Sequence, residues 1–392
     1  MTKHRTSPTR RHVIAALGLT GVGAVAGCLG DGDTDDSGDD LTFDSDEIPT
    51  FPVVDDPPDA VYVPTHYEGM VMPGPVAVDD LMVGPMLTYP HQFWIVTGDE
   101  AERVEPSEDD DVHLMVTAWD SETEAVLPVD TGVSLEIYQE DEHVSSNTPW
   151  LMISQEMGFH FGDNVPLDGD GHYRVEGTIP ALDVDRTGEF ENRFTESYEF
   201  SFEFHFDDDA RQQMVGGVEY LSEEEWGELG ALTPMHERHG GHHHDEHDHN
   251  HDSHDHHVPY SSVPSADELP GTLQEIHHSG DAEIVTTVFS PESRFSDAEW
   301  YVAVSPRTPY NRSVLPMMQL DGIAYFDTEE IEQPLRATLD HELGLHYGAP
   351  YPDLESTDQF QIEFIAPPQV SRHQGYERAF LDMDAVTIDL AL

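Results

Sequence analysis

Between about Val61 and Phe206 apolar residues fall at every second position, in short runs broken by proline, glycine and aspartate. Val133, Leu135 and Ile137 alternate with polar residues, and so do Tyr198, Phe200, Phe202, Phe204 and Phe206. A period of two places one residue set on one face of a pleated strand, so these runs predict half-buried antiparallel strands stacked as a β-sandwich. Strand patterns resume from about Val258 to Leu392, at Ala303–Val304, Phe360–Phe364 and Val386–Leu390. Helical spacing is scarce. One moderately amphipathic stretch, Glu219 to Leu232, predicts a short helix.

The strand-rich regions repeat one another. Glu156-Met157-Gly158-Phe159-His160-Phe161-Gly162 reappears as Glu342-Leu343-Gly344-Leu345-His346-Tyr347-Gly348, and Val126-Leu127-Pro128 as Val314-Leu315-Pro316. The histidines lie 186 residues apart and the Val-Leu-Pro triplets 188, so little is inserted or lost between copies. The expected fold class is all-β: two tandem antiparallel sandwiches, at 56–206 and 258–392, joined by a linker at 207–257.

Charge narrows the partners. The 392 residues carry 80 acidic and 16 basic side chains, a formal net charge of −64, and Lys3 is the only lysine. Such a surface repels phosphate backbones and excludes nucleic-acid binding. Its self-repulsion opposes compactness in dilute buffer, but at molar salt the Debye length shrinks to about 3 Å. The chain reads as halophilic.

The N-terminus reads as an export signal at 1–28: Arg10-Arg11, an apolar run from Val13 to Val25, then Val25-Ala26-Gly27-Cys28 before an acidic tract. Cys28 is the single cysteine, which rules out an intrachain disulfide and marks a lipidation site. The apolar run falls short of the roughly 20 residues needed to span a bilayer. Residues 29–55 form an acidic tether. The expectation is a protein anchored by lipid to the outer face of the membrane. The linker holds a second oddity: His236 to His257 contains eleven of the chain's 25 histidines, mixed with Asp, Glu and Gly. It cannot form a core and suits loose capture of zinc, copper, nickel or iron.

Ordered donors stand in the first repeat. His113 and Met115 are two apart in Val112-His113-Leu114-Met115-Val116, so both project from one strand face. His160 lies in the repeated turn with Met152 and Met157 upstream. Imidazole beside thioether is a soft-to-borderline site suited to copper and tolerable for ferrous iron or zinc. The same residues would serve equally as core packing and a structural turn. Enzymatic signatures are missing, with no Gly-x-Ser-x-Gly, phosphate loop, dinucleotide fingerprint or cysteine nucleophile. His341 and His346 are five apart, which spoils the shared helix face of a zinc-protease motif. No enzyme is expected.

From about residue 60 to 206 the chain resembles the ferrous-iron transport periplasmic family, secreted copper-binding immunoglobulin-like proteins that assist iron uptake and are usually dimeric. The resemblance rests on His113-Leu114-Met115-Val116-Thr117-Ala118, on Met152 to Gly162 followed by Asp163-Asn164-Val165, and on Gly171-His172-Tyr173-Arg174-Val175. It implies metal ligation by His160, by Met152 (with Met157 as the alternative), and at the strand position where Met115 replaces the family's carboxylate. A softer, cuprous-favouring site follows. The family's last histidine, after an arginine in a loop, has no match in the first repeat, where Asp185-Arg186 stand; His113, His172 or a partner domain must make up the ligand. In the second repeat Arg372-His373 match that loop and His346 the turn, whereas Ala303 and Thr338 replace the strand and methionine ligands. His341, Met317 and Met318 are the candidates to compensate. The second repeat is therefore read as degenerate, the alternative being that both repeats complete one site.

Together these features imply an exported transition-metal-binding protein that assists iron or copper uptake by a membrane permease, with homodimerisation implied by the family. A cell-surface interaction protein with vestigial sites, or a metal buffer, is the rival.

Overall fold

The computed structural model describes residues 51–239, 257–295, 299–327, 329–357 and 359–392, all within one compact unit, Ser45–Leu392. The signal, Cys28 and the tether up to residue 50 lie outside the described residues, as do 240–256 of the histidine tract. The protein is all-β and its sheets are predominantly antiparallel. Among the described residues no helix is long and apolar enough to cross a membrane.

The first repeat builds two layers. An eight-stranded sheet runs in the order Val76–Val78, Leu81–Thr88, Val112–Asp120, Gly158–Val165, Trp150–Ser154, Ser371–Arg372, Phe93–Thr97, Glu100–Val104. A four-stranded sheet has the order Tyr198–Phe206, Gly171–Ile179, Ser134–Gln139, Glu142–Asn147. Alternation in Tyr198–Phe206 is complete: five aromatic side chains are buried and the four residues between them are exposed. Each buried aromatic contributes roughly 1.5–3 kcal/mol through removal of apolar area from water.

The second repeat follows the same plan. Glu330–Asp340 pairs with Gln319–Tyr325 through its first half and with Gly344–Tyr351 through its second, so one long strand joins two layers. In the first repeat that span is interrupted at Pro149, giving the separate strands Glu142–Asn147 and Trp150–Ser154. The Val-Leu-Pro triplets hold matching posts, since Leu127 N–H donates to Ala118 O and Leu315 N–H to Pro306 O, both at 3.0 Å. Gly158 and Gly344 share φ = +69°, a left-handed turn conformation open to glycine.

The repeats also trade segments. Ser371 and Arg372 pair in parallel with Met152 and Ile153, and Asp185, Arg186 and Thr187 pair in parallel with Thr338, Leu339 and Asp340. Each repeat thus lays one short loop strand along the other's turn strand. Arg372 is fully buried and satisfied by the carbonyls of Val370, Tyr376, Ala379 and Pro368, so it pins the loop it sits in. Burial pushes its guanidinium down to about 9.

The helix expected at Glu219 to Leu232 forms earlier, at Asp208–Gly216. The Asp207 carboxylate accepts from the Ala210 N–H and caps its start, and Gly216-Gly217 ends it. Capping outweighed the weak amphipathic signal further along.

Candidate metal centre

The two-residue period of Val112–Asp120 and the register of its neighbours gather donors on one sheet face. His113 stands opposite Asn164, Met115 opposite Gly162, and Met152 opposite His160. Gly162 is the hub. A Cβ added there would lie 2.8 Å from His113 Nε2, 3.1 Å from Met152 Sδ and 3.3 Å from His160 Cδ2, so the absent side chain leaves room that donor atoms surround.

His373 completes this cluster from the other repeat. Its Nε2 is 3.1 Å from His160 Nε2, and its Nδ1 is 3.2 Å from His91 Nε2. Glu68 faces both outer rings, with Oε1 3.7 Å from His91 Nε2 and 3.6 Å from His373 Nδ1. One ligand atom from each of His91, His113 and His373 falls within 4.8 Å of the others.

Three rings are held from behind. His113 Nδ1 bonds Asn164 Oδ1 at 2.8 Å, His91 Nδ1 bonds Tyr89 O at 3.0 Å, and His160 Nδ1 bonds Gly158 O at 3.1 Å. These acceptors fix the proton on Nδ1 and leave each Nε2 lone pair facing inward, the usual outer-shell arrangement around metal-binding histidine. A neutral His373 has a single N–H for two inward lone pairs, so one nitrogen–nitrogen contact stays unsatisfied until a cation enters. His113 Nε2 and Glu68 Oε2 are buried without any hydrogen-bond partner. Orphaned acceptors of this kind cost about 1–3 kcal/mol each, and a bound cation removes that cost. Four imidazoles, a thioether and a carboxylate fit a soft-to-borderline transition metal.

Electrostatics keep the cluster ready to ligate. Burial lowers His160 to about 3 and His91 to about 4, and places His113 well below the ordinary imidazole range. Burial alone would raise Glu68, but His91 and His373 hold it below the usual carboxylate range. Glu156 is pushed up to about 8 by burial and then by the Glu68 charge. A cavity of about 280 Å³ opens onto Glu68, His91 and His373, with Glu105, Glu108 and Glu156 in its walls. An acidic mouth of this kind draws cations inward.

Met115 shares the face of His113 and stands directly opposite Gly162 and Met86, packed against the core. The remaining expected ligands are placed elsewhere. Met157 is also core. His172 is on the four-stranded sheet, away from Gly162. His346 binds the Tyr301 hydroxyl through Nε2 at 3.1 Å, and that hydroxyl fills the space beside Gly348. Tyr301, Ala303 and Thr338 hold the posts of His113, Met115 and Met152, so the second repeat's own pocket is closed by a phenol. The second repeat has lost its own pocket and lends His373 to the first. His341 accepts from the Glu189 N–H, and the Arg294 guanidinium pairs with its neighbours Asp340 and Glu342. Met317 and Met318 support core and loop packing. Glu68 and His91 had not been anticipated.

Replacing Gly162 with alanine should disturb three donors at once. We expect a destabilisation of roughly 1–3 kcal/mol from overpacking, together with weakened metal binding. Urea unfolding and chelator competition would check both, and a variant normal in both would contradict the hub assigned to Gly162.

Comparison with known proteins adds the following. A copper-bound variant of FetP from uropathogenic Escherichia coli strain F11 aligns at 19% identity over 35% of this chain and 92% of its own, with a TM-score of 0.29. A copper-bound variant of P19 from Campylobacter jejuni aligns at 15% identity over 35% of this chain and 97% of its own, with a TM-score of 0.28. Among curated proteins none matches this chain. Residues 267–389, most of the second repeat, match the family described as a domain of unknown function, DUF7350.

Proposed function

We propose that this chain is an exported, lipid-anchored, non-enzymatic protein that binds a transition-metal ion, copper or ferrous iron, and passes it to a membrane permease for uptake. One observation carries the reading: His113, Met152 and His160 surround the space beside Gly162, His373 reaches His160, and His113 Nε2 is buried there with no protein partner. The metal is cargo here. The chain supplies neutral nitrogen and sulfur donors, an acidic entry and a cross-repeat ligand on a loop anchored by Arg372. The sequence resemblance to ferrous-iron transport periplasmic proteins supports the same role.

The histidine tract is the proposed collector. Its two described ends meet, with the rings of His236 and His257 6.4 Å apart, and the Met235 N–H donates to Glu156 O at 2.9 Å. The tract therefore departs from and returns to the rim of the acidic cavity that leads to His373.

The test is metal content of protein purified in molar salt after deletion of residues 240–256, with and without His160→Ala. One copper or iron per chain should remain after the deletion and disappear with the substitution. Coordinate bonds persist where counter-ion binding is screened. Equal metal content in the two proteins would reject the folded site and leave a buffering tract or an adhesive surface. A permease partner should be recovered by crosslinking under metal limitation.

A further inference from the structure

A second group of donors lies on the outer face of the four-stranded sheet. His172 and His205 stand directly opposite one another on the antiparallel strands Gly171–Ile179 and Tyr198–Phe206. Their rings are 4.7 Å apart at 46°, and His172 Nε2 is 3.3 Å from Glu203 Oε2. All three residues are exposed, on the side opposite the buried aromatics of Tyr198–Phe206.

We propose that His172, His205 and Glu203 form a separate, solvent-facing site for a borderline divalent cation such as zinc, nickel, cobalt or cupric copper. Facing positions on paired strands bring side chains close enough to share one ion. Ligand bonds of about 2.0–2.2 Å put neighbouring donors roughly 3 Å apart, close to the His172–Glu203 separation, and the exposed His205 ring would rotate to bring the third donor within reach. Two imidazoles and a carboxylate with open positions suit such ions.

The local charges leave the triad free to act. Arg174 is the residue directly opposite Glu203, yet its guanidinium is turned the other way. It lies 4.6 Å over the Tyr138 ring and pairs with Glu176 and Asp141. Glu203 is left facing His172 rather than the arginine. A lone surface histidine–glutamate pair contributes little stability and does not account for a second imidazole facing the first. This site stands independently of the buried centre, from which it differs in lacking sulfur and in being open to solvent.

The test is histidine-specific carbethoxylation of the full chain in molar salt, with zinc as the probe and peptide mapping by mass spectrometry as the readout. His172 and His205 should be protected together at micromolar zinc. His205→Ala should shift the His172 protection curve by about tenfold or more, because chelation turns the second contact into an intramolecular one. Glu203→Gln should shift it less. Both substitutions lie on an exposed face, and unchanged reactivity of the buried His160 would show that the fold is kept. The proposal is overturned by a His172 curve that ignores zinc up to millimolar concentration, or by one that His205→Ala leaves unmoved.

Discussion

Replacing His373 with alanine should abolish tight metal binding in the first repeat while leaving that repeat's fold intact. The ring bridges His160 at 3.1 Å and His91 at 3.2 Å and faces Glu68, so its loss removes a ligand and the link between two others. Outer-shell losses alone typically cost about 10–100-fold in metal affinity, and a lost ligand should exceed that range. The backbone frame survives, because the His373 N–H still donates to Ile153 O and Arg372 still anchors the loop. Chelator competition on the tract-deleted protein measures the loss, and circular dichroism checks the fold. His346→Ala is the matched control: it breaks the Tyr301 contact and should lower stability without moving metal affinity. If His373→Ala kept full affinity, the site would be complete within the first repeat and the exchange of loop strands would have no part in it.

That exchange also marks the boundary of what the sequence could reveal. The repeated Glu-x-Gly-x-His-x-Gly phrase exposed the twofold plan because turn chemistry is local: a left-handed glycine and a short bond back to Ser154 or Asp340 write themselves into adjacent residues. Alternation exposed the sheets for the same reason. The parallel pairing of Ser371–Arg372 with Met152–Ile153 is settled by packing between elements about 220 residues apart, and no periodicity records it. Glu68 and His91 were hidden because each stands in a proline- or glycine-punctuated segment with no repeated phrase and no strand period to mark it. The faint signal for His91 was its place just after Pro90, beyond the strand that pairs with His113.

Acidification should separate the buried centre from the histidine tract and destabilise the metal-free protein. Unperturbed imidazoles titrate near pH 6.5, so ions held by the tract should be released through that range. His160, lowered to about 3, and His91, lowered to about 4, stay neutral well below it, so the buried site should keep its ion to lower pH than the tract does. The same shifts set the stability curve. His91, His113, His160 and His346 are all depressed in the folded state, chiefly by burial. As pH falls below the ordinary imidazole value, the unfolded chain takes up protons that the folded chain refuses, and stability drops. Glu156, raised to about 8, works in the other direction: the folded state holds a proton there that the unfolded chain gives up above the ordinary carboxylate range. His66 and His236 are lowered by burial too, so the depressed imidazoles dominate and stability should fall from about pH 6.5 toward pH 5. Glu68, held low in the folded state, adds its own loss as pH falls further. In the tract-deleted protein a saturating metal ion should offset the decline, because it binds the assembled rings of the folded state more tightly than the unfolded chain. Urea midpoints at constant molar salt, with and without copper, would trace both curves. Flat metal-free stability from neutral pH to about pH 5, or release of the buried ion in step with the tract, would contradict the burial assigned to these rings.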